Sequence, residues 1–172
     1  MCWALIGWFA AWVAFILWAG GQFGCAPMRP PLPAPAVDVS TRGKPVCTGV
    51  RIAPTVLATA RHCTEHGWQL SVDGTPATKI ASLRQDVALL RVPRGPFTPQ
   101  AFYEGEDFVR VASFAGIRTV RVLHWGAATG LELEGECVPG ESGAPVSTGK
   151  GVVAVVTNGD PGRPCYAQWV AQ

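Results

Sequence analysis

The chain has 172 residues, room for one domain or a compact two-lobed one once a terminal segment is set aside. Its net charge of +2, with no basic run, excludes an electrostatic nucleic-acid partner, and neither a Gly-rich phosphate loop nor a Gly-Lys-Ser/Thr motif occurs. With 20 glycines, 15 prolines and short valine-rich apolar runs beyond the N-terminus, the composition favours short strands joined by turns over helices.

Residues 1–24 carry no charged side chain, and 3–19 are almost wholly apolar. That length is at the short end for a membrane-spanning helix and at the long end for a signal-peptide core. Trp3, Trp8, Trp12 and Trp18 suit a membrane interface. The first basic residues, Arg29, Arg42 and Lys44, follow the segment, and the positive-inside rule would keep the next domain in the cytoplasm. Three charges spread over a linker orient weakly, however, and the cysteines point the other way. Residues 1–24 are therefore expected to be a transmembrane anchor or signal segment, with the folded domain on the extracytoplasmic (periplasmic or extracellular) side. An uncleaved anchor is favoured over acylation at Cys25, because Gln22 and Phe23 fit a lipoprotein site poorly. Residues 25–40, with Pro-Met-Arg-Pro-Pro-Leu-Pro-Ala-Pro at 27–35, read as a semi-rigid spacer, and 41–172 as the domain.

Strands are expected at 46–52, 56–59, 69–72, 78–82, 87–92, 108–112, 119–124, 152–157 and 166–170, separated by turns rich in Gly, Pro and Asp. Helical periodicity is weak, and the pattern is that of an all-β sandwich or barrel. Cys47, Cys63, Cys137 and Cys165 fall in the domain, while Cys2 and Cys25 fall in the N-terminal segment. No Cys-x-x-Cys pair occurs, and only His62 and His66 lie near Cys63, so the spacing is not a zinc pattern; no metal or cofactor is expected. Four cysteines after an apolar N-terminus read as two disulfides in an oxidising compartment; the alternative is four buried free thiols.

Three stretches carry chemistry. The first two strands run into Ala-Arg-His-Cys at 60–63. Asp86 precedes the apolar run 87–90; an isolated Asp there is usually a turn residue, but a half-buried carboxylate is costly unless paired. Gly-Glu-Ser-Gly-Ala-Pro at 140–145 is a tight turn that pushes the Ser142 hydroxyl into the open, and its glycines let N–H groups converge where an oxyanion forms. Such turns also occur in ordinary loops, and His62 alone could be a structural histidine beside a disulfide. His66 and His124 match no motif, Asp73 in Val-Asp-Gly-Thr reads as a hairpin residue, and Ser113 and Ser147 lack the glycine setting.

Together these stretches resemble the trypsin/chymotrypsin-like serine proteases over most of residues 46–170. The run from Cys47 to Cys63 is similar to the family's His block, Gln-Asp-Val-Ala-Leu-Leu-Arg-Val at 85–92 to its Asp block, and 140–145 to its nucleophile block. Val-Val-Ala-Val-Val-Thr-Asn-Gly at 152–159 resembles the strand lining the substrate groove. The resemblance implies a two-lobed antiparallel β-barrel fold, with Ser142 as nucleophile, His62 as general base and acid, and Asp86 orienting the imidazole. It also implies an oxyanion hole from the N–H groups of Gly140 and Ser142, and bridges Cys47–Cys63 and Cys137–Cys165. Thr157, Asn158 and Gly159 would pair with a substrate strand.

The departures are informative. No Ile-Val-Gly-Gly-type start occurs and Glu141 stands where the animal enzymes carry Asp, so maturation by insertion of a new N-terminus is not expected. The short His62-to-Asp86 separation resembles compact bacterial and viral members. Cys137 lies one residue further from the serine than is usual, which leaves Gly135 or Glu136 at the pocket floor. Glu136 or Asp160 in the pocket would select Arg or Lys at the cleavage point; both could equally be solvated rim residues. The function implied is a membrane-tethered serine endopeptidase acting on protein or peptide. The alternatives are a catalytically inactive protease-fold module that binds a peptide or protein partner, and a purely structural barrel.

Overall fold

The computed structural model describes residues 36–65, 69–83, 85–158 and 162–170; the membrane helix expected at 1–24 and the spacer up to residue 35 lie outside them. Among the described residues no helix is long and apolar enough to cross a membrane.

Antiparallel strands build two lobes. The first contains β1 (Ala36–Thr41), β2 (Lys44–Ala53), β3 (Val56–Ala60), β4 (Leu70–Val72), β5 (Thr75–Pro76), β6 (Thr78–Ser82) and β7 (Val87–Arg91), in the order β5-β4-β1-β2-β3-β7-β6. In that order β4 and β7 stand four strands apart, about 19 Å in a flat sheet at roughly 4.8 Å per strand. Yet Leu70 and Val72 of β4 share one core cluster with Leu90 of β7, together with Val39, Cys47 and Leu57, so the sheet curls round its own interior. The second lobe is a closed barrel, β10-β13-β12-β11-β8-β9, from β8 (Phe108–Ser113), β9 (Gly116–Gly126), β10 (Gly130–Leu133), β11 (Pro145–Thr148), β12 (Gly151–Asn158) and β13 (Cys165–Trp169). Leu131, Leu133, Val111, Val146 and Val153 fill it. A third cluster joins the lobes, packing Val50, Ile52, Ala58 and Val87 against Val152, Val155 and Val170.

The spacer expected at 25–40 gives way at Ala36. The first strand pairs with β2 on one side and β4 on the other, and Val39, opposite Cys47 and Val72, is fully buried. Its Ala-Val-Asp-Val pattern supplies an inward face that the preceding prolines masked in the sequence. Asp73 is a hairpin residue as expected: Asp73 and Gly74 both adopt positive φ (50° and 74°) between β4 and β5, as a tight two-residue turn requires.

Both expected bridges form. Cys47–Cys63 ties β2 to the 3-10 turn Arg61–Thr64, and Cys137–Cys165 ties the segment before the nucleophile candidate to β13. The free-thiol alternative is thereby excluded.

Candidate active site

His62 sits in the 3-10 turn that continues β3, with the neighbouring Cys63 buried and bridged. Asp86 precedes β7, the strand paired with β3 through Ala60 and Val87, so sheet register brings the two residues together. Gln85 and Asp86 both adopt positive φ (63° and 69°), uncommon for residues with a Cβ. The turn is held by Arg61 N–H donating to the Asp86 carbonyl at 2.7 Å and by Leu83 N–H donating to the Val87 carbonyl at 2.8 Å. This conformation aims the carboxylate at His62 twice. Asp86 Oδ1 accepts the His62 backbone N–H at 3.0 Å, and Oδ2 lies 2.7 Å from His62 Nδ1. An ionised carboxylate can only accept, so Nδ1 carries the proton and the neutral ring keeps its lone pair on Nε2. The His62 side chain is 43% exposed and that of Asp86 25%, which leaves the ring reachable and its anchor largely covered.

The loop bearing Ser142 belongs to the second lobe but docks on the first. Thr48 of β2 donates its N–H to the Ser142 carbonyl at 2.8 Å and its Oγ1–H to the Gly140 carbonyl at 2.9 Å. Gly143 adopts φ 80°, and a Cβ there would lie 1.9 Å from the Thr48 carbonyl oxygen, 2.3 Å from Thr59 Oγ1 and 3.1 Å from Ala60 N. Only a glycine can press this close, and it sets Ser142 against the end of β3 that leads into His62. Among the described residues no hydrogen bond joins Ser142 Oγ to the His62 ring.

Gly140 adopts φ 91°, and a Cβ there would meet the Phe114 ring at 1.8 Å. Within the loop, Glu141 N–H donates to Val138 O, Gly143 N–H to Val156 O and Ala144 N–H to Glu141 O. Among the described residues the Gly140 and Ser142 N–H groups find no acceptor, so the two donors expected to face an oxyanion are the ones left unspent. Between them, Glu141 is 2% exposed. Arg118 of β9 grips its carboxylate with Nε to Oε1 at 2.7 Å and Nη2 to Oε2 at 2.8 Å, and Val138 N–H donates to Oε2 at 2.9 Å.

The groove candidates lie beyond this loop. Pairing of β11 with β12 ends at Pro145 and Val155, and after the Gly143–Val156 bond the 157–158 edge has no partner strand on that side among the described residues. Thr157 is buried and Asn158 exposed; the Asn158 carbonyl lies 3.2 Å from Cys137 Sγ. Gly159 and Asp160 lie outside the described residues. Glu136 is exposed and accepts the Gly162 N–H at 2.9 Å, which favours a rim position over a pocket floor. Both groupings of possible metal ligands among the described residues, Cys47/His62/Cys63 and Cys137/Glu141/Cys165, spend their sulfurs in disulfides.

Sequence reasoning missed Thr48, Phe114 and Arg118. A buried Glu141 demands a cation, but nothing in the sequence singles out Arg118 from Arg110, Arg121 or Arg163.

No protein-family model matches the chain, and no curated protein matches it. Solved structures do. The Rv3671c protease of M. tuberculosis, in an inactive form, is 19% identical with a TM-score of 0.61 over 79% of this chain and 83% of that one. A human pathogenic astrovirus serine protease is 19% identical with a TM-score of 0.61 over 79% and 89%. A scabies mite inactivated protease paralogue is 13% identical with a TM-score of 0.61 over 79% and 89%. At these identities the likeness establishes the fold: two β-barrel lobes arranged as in the trypsin/chymotrypsin-like serine proteases.

Proposed function

We propose that the chain is a serine endopeptidase whose catalytic group is Ser142, His62 and Asp86. Ser142 Oγ attacks the scissile carbonyl while His62 Nε2 takes its proton, and the developing oxyanion sits between the Gly140 and Ser142 N–H groups. Each such donor contributes roughly 3–4 kcal/mol to transition-state stabilisation. His62 then gives its proton to the leaving amine, and water drawn through the same imidazole releases the acyl group from Ser142. Asp86 holds the ring in the required tautomer and stabilises its protonated form. The observation that carries this reading is the 2.7 Å contact from His62 Nδ1 to Asp86 Oδ2, which puts the basic nitrogen on the ring's free edge. An extended substrate would add a strand along Thr157, Asn158 and Gly159, with Glu136 at the pocket rim.

The two bridges suit an oxidising compartment, and residues 1–24 would tether the domain to a membrane with its site extracytoplasmic. Fusion of a compartment-dependent reporter to the C-terminus tests that placement: activity only in the oxidising compartment supports it, and activity only in the cytoplasm contradicts it.

A second reading, a module that binds peptide without cutting it, draws support from the missing Ser142–His62 hydrogen bond. Such bonds often tighten only when substrate arrives, so endopeptidase remains the conclusion. Incubation with a random peptide library separates the two. The proposal expects cleavage products that vanish in Ser142→Ala; peptides retained intact by both chains would favour the binding module.

A further inference from the structure

We infer that Arg61 is a positioning residue that holds the Asp86 carboxylate in line with the His62 ring, an inference that rests on the endopeptidase reading. Asp86 projects from a strained turn, with its backbone at φ 69° and its side chain 25% exposed. Among the described residues both hydrogen bonds to its carboxylate come from His62, one from the backbone N–H to Oδ1 and one from Nδ1 to Oδ2. The ring that Asp86 has to aim is therefore half of its own support. Any tilt of the ring loosens the carboxylate with it, and the exposed side of Asp86 gives that carboxylate water to turn toward. A hold that does not pass through the ring would prevent this.

Arg61 supplies that hold. Its backbone N–H donates to the Asp86 carbonyl at 2.7 Å, and its side-chain Nε lies 3.7 Å from Asp86 Oδ1. It thus meets Asp86 at the main chain and at the carboxylate together. Arg61 is itself pinned, because its carbonyl accepts the Thr64 hydroxyl at 2.7 Å within the 3-10 turn that the Cys47–Cys63 bridge fastens to β2. Nε is buried with no hydrogen-bond partner among the described residues, so its attraction to the carboxylate is ionic and not directional. No other Lys or Arg among the described residues comes within ion-pair distance of Asp86. A bare cation there would also oppose the imidazolium that forms when His62 takes a proton. Glu65 Oε1, 3.1 Å from the same Nε, offsets that charge. What remains of Arg61 is its grip on the carboxylate, not a field on the ring. The aim of the ring governs proton transfer and not substrate docking, so loss of the grip falls on kcat and spares KM.

The test compares the wild type, Arg61→Ala and Arg61→Lys as full-length, disulfide-bonded chains, by steady-state kinetics on one cleaved peptide and by NMR of nitrogen-15-labelled histidine. The proton on His62 Nδ1 is protected from exchange while Asp86 accepts it, so its far-downfield resonance reads the aim of the carboxylate without turnover. Arg61 and Asp86 are both partly exposed, which limits the expected effect: Arg61→Ala should lose about fivefold in kcat, with KM within about twofold. Its Nδ1 proton signal should broaden beyond detection under conditions where the wild type shows it. Arg61→Lys, a point charge on a stem of similar reach, should restore the signal and bring kcat within about twofold of wild type. Wild-type kcat in Arg61→Ala overturns the inference, as does a loss confined to KM, a loss of kcat with the signal unaltered, or a failure of Arg61→Lys to recover either. Should Arg61→Ala fail to fold, Arg61→Gln, which keeps most of the stem without the charge, carries the same expectations, and an unaltered signal there overturns the inference equally. A wild-type chain that shows the signal yet cleaves nothing sinks the endopeptidase reading and the inference built on it, whereas a cleaving wild type with an unaffected Arg61→Ala sinks this inference alone.

Discussion

The two lobes hold their halves of the site by different means. In the first, backbone does the positioning: the β3–β7 register, two consecutive residues at positive φ and a bridged 3-10 turn set His62 against Asp86. In the second, the Ser142 loop leaves its barrel and is held by glycines that allow contact with Thr48 and by one buried ion pair. His62 and Asp86 are thus set by a sheet, while the Ser142 turn is an attachment held by close glycine contacts and a buried charge pair. Mutations in the first lobe should therefore act through proton chemistry or through global stability. Those around Glu141 should act through loop geometry.

The largest expected effect sharpens that contrast. Asp86→Asn keeps a residue that tolerates positive φ, so the turn survives, but the amide no longer enforces the Nδ1–H tautomer. The kcat/KM should fall about 10⁴-fold with the thermal midpoint within a few degrees of wild type. Steady-state kinetics beside a melting curve checks this, and a loss below about tenfold would place the carboxylate outside the chemistry.

The bridges come next. Removing either pair, as Cys47→Ser with Cys63→Ser or Cys137→Ser with Cys165→Ser, should cost about 3 kcal/mol in urea unfolding. Their kinetic signatures should differ. The first pair frees the turn that carries His62 and should lower kcat, while the second loosens the wall beside Asn158 and should raise KM with kcat within a few-fold. Equal effects on kcat from both would erase the distinction between the lobes.

The smallest effect is in the second lobe, away from the site. Tyr103 donates its hydroxyl to the Glu106 carbonyl and packs edge-on against Trp125, with ring centroids 5.7 Å apart. Burial, then the charges of Glu106 and Asp107, push its phenol above the ordinary 10.0. A phenol harder to ionise when folded stabilises the protein fully below the ordinary value, and that contribution is lost as pH rises through the raised one. The urea midpoint of the wild type should accordingly fall relative to Tyr103→Phe above about pH 10. Parallel curves would contradict the assignment.

What was legible in the sequence divides along the same line. The His62, Asp86 and Ser142 stretches are contiguous motifs, and the long strands around them have valine-rich cores, so both stood out. The strands that escaped are the short or interrupted ones. The first follows a proline run, β5 is Thr75–Pro76, β10 opens on Gly130, and β11 opens on Pro145. The last three are ordered by neighbours already in place, not by their own pattern. Arg118 escaped for a related reason: its partner lies 23 residues on, and only barrel closure selects it among the basic residues of the second lobe. Glu136, read as pocket floor or rim, was undecidable from spacing, because the Gly162 N–H that engages it comes from a turn after β12.

Under the endopeptidase reading, the hydroxyl of residue 142 is a nucleophile driven by the imidazole of residue 62. Mass spectrometry after treatment with a fluorophosphonate reads it directly. The expected result is a single phosphonyl adduct on Ser142 in the folded, disulfide-bonded chain, absent from His62→Ala under the same conditions. An unmodified Ser142 in that folded chain, or equal labelling with and without His62, would contradict it.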